Sequence, residues 1–172
     1  MTQKIQLFLW LFALVTSLAY LLYIYFRYGI QRSISASYNR LEGVSKSLYG
    51  WCMVCIGVPM AMVGDNWMSA VAGIILSITF AAPTGGSKLN QAIHNISSQV
   101  AMITGVAMLG FKFSQWFLVV VTCLTVLFMM WSAKKDRVIF GYKIPRFKNS
   151  TWWIEVAVLA SVLIGLLIEK VL

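Results

Sequence analysis

The chain has 172 residues, of which 60% are hydrophobic and only 11% charged, and its mean hydropathy is +0.80; a water-soluble domain, with roughly a quarter of its residues charged, is excluded. The formal net charge of +9 does not point to nucleic acid. Its Lys and Arg residues gather beside apolar runs, as they do at an anionic bilayer surface, and are not interleaved with base-stacking aromatics. The composition predicts an all-α polytopic membrane protein with the lipid bilayer as its solvent.

Residues 5–26 form the first predicted span, too long and too close to Met1 for a cleaved signal peptide, and it is read as retained. Its end carries Tyr20, Tyr23, Tyr25, Phe26 and Tyr28 beside Arg27, the pattern of an aromatic belt with a snorkelling cation. The polar connection that follows holds Ser33-Ile34-Ser35-Ala36-Ser37-Tyr38, short enough to be a turn of helix or an interfacial strand.

Residues 48–63 are the second span, with Cys52, Cys55, Gly57 and a helix-kinking Pro59. Gly64-Asp65-Asn66 reads as a tight turn into the third span, 67–82, which makes the two an antiparallel hairpin. Ser69, Gly73 and Ser77 recur at every fourth residue, a spacing that lets helix backbones approach closely in lipid.

The apolar run then breaks at Pro83-Thr84-Gly85-Gly86 and restarts as the fourth span, 91–111, around the only histidine, His94. The fifth span is 115–131, and a basic connection leads to the sixth, 152–168, where Ala157, Ser161 and Gly165 repeat the small-residue spacing. The expectation is one domain, residues 1–172, with six transmembrane helices in one bundle.

Orientation follows from the basic residues. Of the 14 Lys and Arg residues, Lys4, Lys112 and Lys170 alone fall outside the connections after the first, third and fifth spans. By the positive-inside rule those three connections are cytoplasmic and both termini lie outside. His94, residues 33–38 and the amino end of the sixth span then share the cytoplasmic half.

On a helix advancing about 100° per residue, Gln91, His94, Asn95, Ser98 and Gln99 fall on one face. Polar groups in hydrocarbon cost several kcal/mol when unpaired, so this stripe is expected to face the bundle interior, another polar helix or water. Glu155 is the one acid within a span that could hold His94 in a single tautomer, and it could equally pair with the fifth connection. Ser35, Ser37 and Tyr38 complete the candidate ligand-binding set on that side. With one His and five acidic residues, a zinc site, which needs three protein ligands in catalysis, has little to draw on, and neither a metal nor a cofactor is expected.

Cys52-Met53-Val54-Cys55 resembles the membrane-embedded pair of the disulfide-generating quinone reductases, but a second pair is missing, since Cys123 is the one other cysteine. The order Ser35 or Ser37, Asp65, His94 resembles the set of the heptahelical ceramidase and progestin-receptor hydrolases, whose paired late histidines have no counterpart here. Ser33 to Tyr38, then Ala82-Pro83, then His94 resembles a pattern in small multi-span bacterial and phage membrane proteins of unknown function, which implies a prokaryotic inner-membrane setting and no activity.

The sequence therefore supports three functions. A module that binds or transports a small or lipid-like ligand through a cluster around His94 predicts a cavity beside Gln91, His94 and Asn95. An intramembrane hydrolase-like enzyme predicts a metal or a His-acid pair, and is the less favoured reading. A structural or accessory subunit, partnered by itself or by another membrane protein, predicts a filled stripe.

Overall fold

In chain order, the computed structural model contains α1 (Gln3–Tyr28), a 3-10 turn (Ser35–Arg40), α2 (Val44–Gly64), α3 (Trp67–Thr79), α4 (Lys88–Phe111), α5 (Trp116–Ser132), strands β1 (Arg137–Ile139) and β2 (Tyr142–Ile144), and α6 (Ser150–Lys170). It describes residues 1–79, 87–133, 137–139, 142–144 and 149–170, with the backbone alone for the two strands. The chain is helical, and α1, α2, α4 and α6 are each long and apolar enough to cross a membrane. The described parts of α3 and α5 are shorter, at 13 and 17 residues. The Pro83 to Gly86 break and the end of the predicted third span lie outside the described residues.

The fifth connection, read from sequence as a plain loop, holds a short antiparallel pair in which Arg137 opposes Ile144 and Ile139 opposes Tyr142. Residues 33–38, left open between helix and strand, enter a 3-10 turn that begins at Ser35.

Local chemistry explains the turns. α1 ends at Gly29, whose φ of 71° is in the left-handed region that glycine tolerates and whose N–H returns to the Tyr25 carbonyl. Between α2 and α3, Asp65 takes the left-handed conformation at φ 50°. Asn66 serves both helices: its Nδ2 donates to the Gly64 carbonyl at 2.8 Å and its Oδ1 accepts the Ser69 N–H at 3.0 Å.

The helices form a ring. α2 packs against α1 and α3, α3 against α4, and α6 closes the ring onto α4, α1 and α2, while α5 lies outside against α4 and α6. The α2–α3 contact is the tightest, since a methyl group at Gly73 would collide with the Gly57 carbonyl oxygen and lie 2.8 Å from the Ala61 Cβ. Here the small-residue spacing meets its physical purpose, because only backbones without side chains between them approach this closely. α6 uses its own small residues differently: Ser161 Oγ and Thr122 Oγ1 of α5 are 2.7 Å apart, and Gln115 Nε2 donates to the Gly165 carbonyl at 3.1 Å.

Outward faces are apolar. Phe8, Phe26, Ile103 and Phe117 are exposed, an arrangement costly in water and matched by hydrocarbon. Replacing Gly73 with Val is expected to destabilise the protein by about 1–3 kcal/mol through overpacking. A thermal melt in mild detergent checks this, with an unchanged midpoint counting against the close α2–α3 approach.

Candidate functional site

The site begins with one carboxylate. Glu155, one turn into α6, accepts the backbone N–H groups of Ile34 and Ser35, and so closes the amino end of the 3-10 turn. A helix start leaves several N–H groups without internal partners, and a carboxylate is a strong acceptor for them. Among the described residues no Lys or Arg pairs with it.

The 3-10 turn is anchored a second time by Ser37, which is fully buried. Ser37 Oγ donates to the Ile34 carbonyl, and its single proton is thereby spent. The Tyr20 hydroxyl, 2.6 Å away, must therefore be the donor to Ser37. Tyr20 and Tyr49 have ring centroids 6.0 Å apart, and Tyr38 meets Tyr49 edge-on at 5.7 Å. The two contacts make an aromatic wall where α1, the 3-10 turn and α2 meet. Lys46 Nζ stands 5.7 Å from the Tyr38 ring.

Behind this wall lies a cavity of about 110 Å³, open on one side. Met53, Ile56, Met60, Ala101 and Val162 are among its apolar lining residues. Ser17, Tyr20, Ser35, Tyr49, Thr79, Ser98 and Glu155 are its polar lining residues. Tyr20, Ser35, Tyr49, Thr79 and Glu155 lie toward one end of the bundle, at the carboxyl-terminal parts of α1 and α3, the 3-10 turn, and the amino-terminal parts of α2 and α6, while Ser17 and Ser98 lie nearer the middle of α1 and α4. The result is an apolar chamber with a few polar groups set in its wall.

His94 stands beside the chamber and does not line it. It is 2% exposed, and Nδ1 lies 3.1 Å from the carbonyl oxygen of Thr79, the last described residue of α3. Facing a carbonyl, Nδ1 carries the proton, and the imidazole ties α4 to the last described residue of α3. Thr79 Oγ1 donates to Ser97 Oγ at 3.1 Å, and Ser97 Oγ donates to the His94 carbonyl at 3.1 Å, which pins α3 to α4. Nε2 is buried without a hydrogen-bond partner among the described residues. His94 and Glu155 have different partners, so the expected His-acid pair is not formed.

The rest of the predicted stripe divides. Ser98 is half-buried and lines the cavity, whereas Gln91, Asn95 and Gln99 are exposed on the chain's outer surface. The reason is the inclination of α4. Leu109 is fully buried against Gly165 of α6, yet Gln91, about five turns earlier on the same side of the helix, is uncovered. α4 is covered along this azimuth at its carboxyl-terminal end and open at its amino-terminal end. The cavity beside Gln91, His94 and Asn95 that the sequence predicted is thus displaced to Ser98, Glu155 and the tyrosines.

Asp65 and His94 lie toward opposite ends of α3, roughly 18 Å apart along its axis, so Ser35 or Ser37, Asp65 and His94 do not converge. Among the described residues no group of three His, Cys, Asp or Glu side chains is placed to hold a metal ion. The three cysteines are free, with Cys52 buried and Cys123 exposed.

Tyr20, Tyr49 and Thr79 were missed in the sequence. The available signal was in α1, where Ala13, Ser17, Tyr20 and Ile24 recur at helical spacing and all four are buried; two polar groups on one stripe of an apolar helix mark an inward face. In comparison with known proteins, no protein-family model matches the chain, and neither a curated protein nor a solved structure does. The site therefore has to be read from its own chemistry.

His94→Ala removes the Nδ1–H donor and leaves the Thr79 carbonyl bare. The expected loss of stability is about 1–3 kcal/mol, read from thermal unfolding of the purified protein. A stability equal to that of the wild type would show that the imidazole does not hold α3 to α4.

Proposed function

We propose that the protein is an integral protein of a bacterial inner membrane, with six spans and both termini outside, that binds or carries a small or lipid-like ligand in the chamber between α1, α2, α3, α4 and α6. One observation carries this reading. An apolar cavity of about 110 Å³ with its one carboxyl group and both tyrosine hydroxyls toward one end suits a molecule that is apolar over most of its length and polar at its head. An apolar cavity of about 150 Å³ takes up benzene, so an occupant larger than that extends through the open side of the chamber.

Six spans require α3 and α5 to cross as well. At about 1.5 Å per residue α5 spans about 26 Å and the described part of α3 about 20 Å of a 30 Å hydrocarbon layer, and the apolar run of the third span continues in sequence to Ala82. Local thinning and snorkelling of flanking residues absorb such a mismatch at modest cost. The basic connections then place the polar end of the chamber in the cytoplasmic half.

A second reading, an accessory subunit that packs against another helix, is favoured by the exposed carboxamides of Gln91, Asn95 and Gln99 on α4. Carboxamides facing lipid are expensive, and a partner helix would satisfy them.

Native mass spectrometry from mild detergent tests the binding reading. The expected result is a retained small molecule on the wild-type chain that is lost in Ala101→Phe, which fills the chamber, while fusions of a periplasm-active reporter to either terminus are active. A chain that carries nothing and keeps its stability on Ala101→Phe would remove the binding reading, and termini on opposite sides would remove the six spans.

A further inference from the structure

The polar end of the chamber is rich in acceptors and poor in donors, and this imbalance specifies a ligand. Ser17 Oγ donates to the Ala13 carbonyl at 2.7 Å, Thr79 Oγ1 shares its one proton between the Ile75 carbonyl at 2.8 Å and Ser97 Oγ at 3.1 Å, and Ser98 Oγ donates to the Asn95 carbonyl at 3.1 Å. Tyr20 spends its proton on Ser37, and the Ile34 and Ser35 N–H groups are spent on Glu155. Apart from the Ser35 and Tyr49 hydroxyls, what these groups still present to the chamber is oxygen lone pairs and one carboxylate. No Lys, Arg or His lines it among the described residues.

Resting on the cavity-binding reading above, we propose that the occupant is a hydrophobic cation, with an ammonium head beside Glu155 and the Tyr20 and Tyr49 rings and an apolar body directed toward Met60 and Val162. The charge argument is direct. An anionic head would be placed against a carboxylate with no cationic side chain among the described lining residues to meet it, whereas an ammonium meets an opposite charge in a low-dielectric site. The aromatic wall adds to this, because the faces of tyrosine rings attract cations and recognise quaternary ammonium groups. The methionine and aliphatic lining accepts the apolar remainder, since flexible thioethers adapt to varied shapes.

The test compares two probes of nearly the same shape, benzyltrimethylammonium and its uncharged carbon isostere neopentylbenzene, with benzenesulfonate as the anionic control. Binding to the full chain in lipid nanodiscs is measured by equilibrium dialysis with empty nanodiscs subtracted. The wild type is expected to hold the cation at least tenfold more tightly than the isostere and to ignore the sulfonate. Glu155→Gln should bring the cation-to-isostere ratio close to one. Equal binding of cation and isostere by the wild type, or an undiminished preference in Glu155→Gln, overturns the ammonium assignment while leaving a ligand-binding cavity. Binding of neither probe overturns both readings. Should Glu155→Gln fail to fold because the 3-10 turn loses its cap, the wild-type ratio alone decides.

Discussion

The structure depends on the contact between the Glu155 carboxylate and the backbone of Ile34 and Ser35. It ties the connection after α1 to the start of α6, two segments far apart in the chain, and so closes the ring at the end where the chamber lies. Hydrogen bonds to a charged group are worth about 1.5–3 kcal/mol each. Their larger effect is geometric, since an ionisable group within an apolar bundle has to be met by donors from some element, and here that element is fixed in place by it. Asn149 adds a lesser tie beside it, with Nδ2 donating to the Ile30 carbonyl at 3.0 Å.

Two packing regimes share the bundle. Between α2 and α3 the backbones touch through Gly57 and Gly73, and at the opposite end of the ring α6 is held by Trp10 Nε1 donating to the Leu163 carbonyl at 2.8 Å, with Gly165 against Leu109. Close approach there leaves no room for a ligand. At the Glu155 end the helices are kept apart by Tyr20, Tyr49 and the 3-10 turn, large groups that hold a wall open rather than fill the space between the helices. The bundle is thus tight between α2 and α3 and between α6 and its neighbours at Leu163 and Gly165, and hollow along its axis between α1, α2, α3, α4 and α6.

How His94 is used illustrates the limit of reading one helix alone. Its place on an apolar helix drew attention to it as a proton carrier, and Gln91, Asn95, Ser98 and Gln99 shared its face. The face is some 140° wide, and α3 and α6 cover only part of it. His94 and Ser97 fall under α3 and become fasteners for its end, Ser98 turns to the chamber, and the three carboxamides remain outside.

The helical class, the position of each apolar run, the tight turn at Asp65 and Asn66, and the small-residue contacts of the third and sixth runs were legible in the sequence, because each is set by neighbours along the chain: hydropathy over about twenty residues, a turn's demand for special backbone, a four-residue repeat. The tertiary structure alone decided which polar groups meet. Glu155 finds the backbone of residue 34 instead of His94, and Tyr20 leaves the aromatic belt to face Ser37. Such pairings depend on the tilt and rotation of helices against one another, which are set by the packing of all the helices together, and no periodicity within one segment encodes them.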